Sequence, residues 1–147
     1  MKILVSACLL GLRCRYDGQS KPNAKVLALG EMHTLVPCCP EQLGGLPTPR
    51  SPSEWQGERI VNKAGQDVTE QYLRGGEEAV RLARTLGCQA AVLKERSPAC
   101  GSREIYDGSF TGALRPGKGS AAKALEAAGI PVFGESELEG LDTQKRL

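Results

Sequence analysis

At 147 residues, with 40% hydrophobic and 24% charged positions, the chain has the length of one domain and can bury a core without help from disulfides. A formal net charge of +2 is too small to argue by itself for a nucleic-acid surface, and an aromatic content of 4% argues against extended stacking platforms for single strands. Six cysteines are too sparse for a disulfide scaffold and require another explanation.

The chain opens with "MKILVSACLLG". A lysine, an apolar run and a small-residue step before Cys8 imitate an export signal, but only five residues, Ile3 to Ala7, separate Lys2 from Cys8. An export signal needs about 7–15 apolar residues there, so the run is assigned to a buried strand. No stretch has the roughly 20 apolar residues of a membrane span. A cytoplasmic setting with reduced thiols is the expectation, which favours metal-binding or catalytic cysteines over cross-links.

In chain order, "KILVSA" (2–7) predicts a strand buried on both faces and "PNAKVLALGE" (22–31) a short helix from Pro22 or just after it. "HTLVP" (33–37) predicts a second strand ended by Pro37, and the Gly-, Pro- and Ser-rich residues 43–57 a long loop around Trp55. "RIVNKAGQDVTE" (59–70) predicts a small hairpin turning at Gly65. A helix follows, with Thr69 as N-cap and Gly87 as its end. "QAAVLKE" (89–95) predicts a third buried strand, 119–129 a helix closed by Gly129, and "IPVFG" (130–134) a fourth strand. From about residue 136 the chain reads as a polar tail. The expected fold is α/β: a single Rossmann-like domain, residues 1–147, with a mostly parallel sheet flanked by helices.

In such sheets ligands bind beyond the carboxyl ends of the strands. Three strands here run into cysteines at that edge: Cys8 directly, Cys38 and Cys39 after "HTLVP", and Cys100 after "QAAVLKE" by way of "RSPAC". Thiolates are soft ligands, and three of them suit zinc or an iron–sulfur cluster with one coordination position open. If residues 38 and 39 are extended, only one of the two faces a common site. Cys88, between a helix-ending glycine and a buried strand, reads as core, and Cys14 has basic neighbours but no defined partner. Glu41, two residues beyond Cys39, is placed to activate water as a general base. Ser97 can orient water or substrate, or serve as a turn hydroxyl.

Lys94, Arg96 and Arg103 crowd the same edge, where a cation can stabilise developing charge or hold a phosphate. "GALRPGKG" (112–119) imitates a phosphate loop but ends in glycine where serine or threonine is needed for magnesium, which argues against nucleotide hydrolysis. The helix opening at Ser120 still offers amides to a substrate phosphate. The single histidine, His33, precedes a strand at the far edge, which disfavours a His-assisted nucleophile.

Taken together, "SACLLG" with "RYDG", "CPEQLGGLPTPR", "DVTEQYLRG", "LKERSPACGS" and "IYDGSFTG" resemble a bacterial domain-of-unknown-function family that includes the thiouracil desulfidases, in order from about residue 2 to 138. The resemblance implies a [4Fe-4S] enzyme that removes sulfur from thiolated uracil, 4-thiouracil or its nucleoside or nucleotide, without net redox chemistry. It implies Cys8, Cys39 and Cys100 as cluster ligands, one iron left open, Glu41 as the catalytic acidic residue and Ser97 as the serine before the last cysteine. The expected partners are a small thiolated pyrimidine and the iron–sulfur assembly machinery, with thiolated tRNA left open as a substrate. Ala99 stands where the family often has serine, and Cys14 and Cys38 are additions to its pattern. Two rivals are a zinc-dependent hydrolase or deaminase on the same thiolates, and a thiol-based sulfur-carrier or redox-sensing module.

Overall fold

Ile3, Leu4 and Val5 are all fully buried, and a strand that is apolar on both faces needs a covering layer on each. The structure, a computed structural model describing residues 1–141, supplies both layers. β1 (Lys2–Ser6) lies inside a four-stranded sheet in the order β2 (Thr34–Cys38), β1, β5 (Ala90–Leu93), β8 (Val132–Gly134), with every neighbouring pair parallel. Ile3 and Val5 face one core with Val26, Ala90, Val92 and Leu141. Leu4 faces the other with Tyr72, Ala79, Ala91, Leu93 and Leu125. The α/β architecture is therefore the expected one.

The second face is covered by α3 (Thr69–Leu86) and α4 (Ser120–Ala127). α3 ends as anticipated at Gly87, whose φ of +73° is the left-handed conformation glycine adopts freely. Its start differs. Thr69 is the first helical residue, and its hydroxyl accepts the Ile60 amide at 2.9 Å while Asp67 Oδ1 accepts the Thr69 amide at 2.9 Å. A tertiary bond to a neighbouring strand took the hydroxyl that capping would have used. The helix expected from Pro22 is α1 (Ala24–Ala28), capped by Asn23, whose Oδ1 accepts the amides of Lys25 and Val26.

Residues 43–57 are not one loop. β3 (Ser53–Gln56) pairs antiparallel with β4 (Arg59–Asn62), and the hairpin turns at Gly57, φ +64°. Gly65 turns a second return, where Val61 bridges Asp67. The strand was hidden because its neighbours are prolines and serines, while buried Trp55 and Glu54 supply the packing that holds it. β6 (Glu104–Tyr106) and β7 (Leu114–Pro116) form another antiparallel pair without a sequence signal. The expected polar tail is packed as far as Leu141, which is 2% exposed and joins Leu138 on the first core; residues 142–147 lie outside the described residues. No helix among the described residues is long and apolar enough to cross a membrane.

Glu41 is carried by α2 (Pro40–Leu43), a single turn between β2 and β3. This turn is laid against α3 so closely that a Cβ on Gly75 would collide with the Pro40 carbonyl, and a Cβ on Gly44 with that of Gln71.

Candidate functional site

From β1 the chain crosses to β2 on one side, whereas β5 leads to β8 on the other. The switch point therefore falls between β1 and β5, and a crevice opens beyond their carboxyl ends. A cavity of about 590 Å³ lies there, within the range of small-molecule sites. Cys8, Cys39, Cys100, Glu41, Ser97 and Lys94 all line it. Ser120 does not.

The backbone explains each placement. β1 ends at Ser6 and the chain turns at once into a 3-10 turn, Ala7–Leu10, which carries Cys8. β2 ends at Cys38, leaving Cys39 extended in front of α2, with Pro40 at the first helical position that proline tolerates. Cys100 sits in a tight turn closed by Ser97, whose Oγ accepts the amides of Ala99 and Cys100, both at 3.1 Å. Ser6 ties β1 to β5 at this end: its Oγ accepts the Lys94 amide at 2.8 Å and donates to Cys100 Sγ at 3.3 Å.

Of the thiols lining the cavity, those of Cys8, Cys14, Cys38 and Cys100 are buried and that of Cys39 is half-buried. Burial raises the pKa of Cys100, which is 4% exposed, and the contact with Cys14 followed by burial raises that of Cys39. Burial pushes Cys38 up to about 12. Thiols set together in this way are costly to ionise unless a cation takes up their charge, and an all-sulfur donor set selects soft metals. Among the described residues no three His, Cys, Asp or Glu side chains converge on a single metal ion. Three thiols on separate loops around one cavity are a donor set that fits an iron–sulfur cluster, whose ligands bind different irons.

Glu41 is held from both sides. Arg50 reaches its Oε1 through Nη2 at 3.2 Å and its Oε2 through Nε at 3.3 Å, a forked pair, and the Tyr72 hydroxyl donates to Oε2 at 2.5 Å. Arg50 is itself buried, and the Glu41 charge keeps its pKa raised against desolvation. Burial, then the charge of Glu41, raises the pKa of Tyr72.

The cations expected to serve substrate are largely engaged. Lys94 Nζ pairs with Glu135 at 3.0 Å, Arg96 with Glu104 at 3.2 Å and Arg103 with Glu137 at 2.7 Å. The helix entry at Ser120 is a correction: the amides of Ser120 and Ala121 donate to the carbonyls of Pro98 and Ala99, so the turn bearing Cys100 covers them. They brace the site from behind and are closed to a phosphate.

Sequence reasoning assigned no role to Ser6, Arg50, Tyr72 or the aromatic lining. Tyr16, Tyr106 and Phe110 face the cavity, half of the six aromatic residues in the chain. Glu54, buried in β3, fixes Phe110 by accepting its amide and that of Gly108, at 3.1 and 2.9 Å. Arg50 closes the "CPEQLGGLPTPR" stretch and so lay inside a motif already singled out. Tyr72 likewise lay inside the quoted "DVTEQYLRG", but nothing in that stretch pointed to a partner 31 positions away.

Fold and site together define a parallel α/β domain with a sulfur-rich, cluster-compatible centre at the switch point of its sheet. The chain belongs to the 2-thiouracil desulfurase family, which matches residues 3–137. It is 40% identical over 149 aligned positions to the uncharacterized protein YbbK of Bacillus subtilis (strain 168), covering 95% of this chain and 99% of that one. Among solved structures it resembles the [4Fe-4S]-dependent thiouracil desulfidase TudS, with a TM-score of 0.92, 47% identity, and coverage of 99% of this chain and 97% of that one. The expected family is therefore the right one.

Proposed function

We propose that the protein removes sulfur from thiolated uracil by hydrolysis, releasing sulfide, with Cys8, Cys39 and Cys100 holding a [4Fe-4S] cluster. One observation carries this reading: three thiols from the ends of three strands share a cavity with a carboxylate locked by Arg50 and Tyr72. When bound, the cluster supplies a soft Lewis acid, an iron without a protein ligand, suited to polarising a thiocarbonyl sulfur. The remaining work falls to the chain. Tyr16, Tyr106 and Phe110 offer ring faces to a pyrimidine. Glu41 takes a proton from water at a carboxylate oxygen, and the water attacks the thiocarbonyl carbon. Carbon–sulfur cleavage then leaves a carbonyl whose oxygen came from water, and sulfur departs as hydrogen sulfide with no change of oxidation state. Arg50 and Tyr72 fix the direction in which Glu41 faces the cavity. Ser97 keeps its hydroxyl proton for a water or ring oxygen, since both amide contacts use its oxygen as acceptor. Lys94, neutralised by Glu135, borders the ring without a free charge.

The described residues contain only free cysteines, which suits a reducing, cytoplasmic setting with cluster supply from an assembly machinery. The test is anaerobic purification, analysis of iron, zinc and acid-labile sulfide, and turnover of 2-thiouracil and 4-thiouracil followed by loss of thiocarbonyl absorbance and release of sulfide. Iron with labile sulfide and turnover is the expected result. Zinc alone would support the hydrolase or deaminase, and an active metal-free protein the sulfur carrier. Glu41→Gln is expected to keep the cluster and lose about 10²–10⁴ of kcat; undiminished turnover would remove Glu41 from the reaction.

A further inference from the structure

The cavity holds thiols that the three-ligand cluster leaves unused. Cys14 is 5% exposed, lines the same cavity, and packs in one buried cluster with Cys8, against which Cys39 also lies. Cys38 also borders the cavity but belongs to the core on the opposite face of the sheet from Cys8 and Cys14.

Cys14 lies on the loop between the 3-10 turn and α1, and its backbone is tied down. Its carbonyl accepts from Arg50 Nη2 at 2.9 Å and from Cys39 Sγ at 3.7 Å, and its amide donates to the Leu12 carbonyl at 2.9 Å. With the main chain held, rotation about Cα–Cβ between staggered positions is the motion left to the thiol. The guanidinium that secures this loop also grips Glu41, so thiol and carboxylate are indexed to one group.

We propose that Cys14 is a displaceable fourth ligand, closing the iron left without a permanent protein ligand until substrate sulfur takes its place. The inference rests on the cluster of the proposed function. In the exchange the iron–sulfur bond to Cys14 breaks as that to the substrate forms, the freed thiolate takes a proton from solvent, and no electron moves. A resting centre closed by four thiolates has no vacant corner for oxidants, and substrate binding is weakened by the free energy needed to displace the thiol.

The test compares wild type, Cys14→Ser, which keeps the side-chain size, and Cys88→Ser, a thiol control away from the cavity. All three are reconstituted anaerobically, checked for folding by circular dichroism, assayed for iron and sulfide, and pulsed with oxidant while iron loss and the EPR signal of a three-iron cluster are followed. Cys14→Ser is expected to lose one iron about ten-fold faster than the other two and to show a lower KM for thiouracil. Equal oxidation rates in all three would overturn the inference and leave the proposed function standing. Failure of Cys14→Ser to hold any cluster would also overturn it, by making Cys14 a permanent ligand. A wild-type protein that assembles no cluster would instead sink the proposed function. A second measurement avoids mutating Cys14: in a Glu41→Gln protein, slowed in turnover, saturating thiouracil is expected to speed alkylation of Cys14, read by mass spectrometry, about ten-fold. No acceleration would count against displacement.

Discussion

Glu41 shows how little a residue's chemistry depends on its own identity. A glutamate at the start of a short helix is ordinarily a solvated charge; here Arg50 and Tyr72 turn it into an aimed carboxylate. The same contacts make Tyr72 a reporter. Its folded pKa lies above its unfolded value, so the stability it contributes is complete below about pH 10 and is lost as pH rises beyond that. Tyr72→Phe should flatten the decline in urea midpoint between about pH 9 and about pH 11. It should also cost roughly ten-fold in kcat near pH 8, because one of the two groups aiming Glu41 is gone. A variant with the parent's alkaline decline and full turnover would show that the hydrogen bond governs neither.

At the scale of elements, the site depends on how tightly α2 lies against α3. Gly75 faces the Pro40 carbonyl with no room for a methyl group, so Gly75→Ala must push apart the turn carrying Glu41 and the helix carrying Tyr72. The expected cost is about 1–3 kcal/mol in urea denaturation, as for other overpacked contacts, with a fall in kcat and retention of the cluster. Two of the strands that lead to cysteines, β1 and β5, were legible in the sequence because burial on both faces writes continuous apolar runs such as "KILVSA" and "QAAVLKE", whereas β2 is a half-exposed edge strand read from a shorter run ended by proline. β3 was not legible, since a short strand in a hairpin draws its stability from Trp55 and Glu54 packing on distant loops. Trp55 Nε1 donates to the Pro98 carbonyl at 2.9 Å, so this hidden strand also braces the turn that presents Cys100.

For the whole molecule, assembly of the centre and stability of the fold are linked. A cluster that binds the folded chain must stabilise it, and thiolate ligands make that binding weaker as pH falls. The loaded protein is expected to melt about 5 °C or more above the apo form near pH 8, with the gap shrinking toward about pH 5; a constant gap in calorimetry would contradict thiolate ligation. The amino-acid sequence alone determined the parallel α/β order and the delivery of Cys8, Cys39 and Cys100 to one edge, because strand period and strand ends are local patterns that the chain cannot disguise. Only the tertiary structure decided that Arg50 and Tyr72 grip Glu41, that Ser6 reaches Cys100, that Cys14 joins the other thiols, and that the amides at Ser120 face the Cys100 turn instead of a ligand. These are pairings between segments far apart in the chain. They depend on how layers close over the sheet, and no spacing of residues records that.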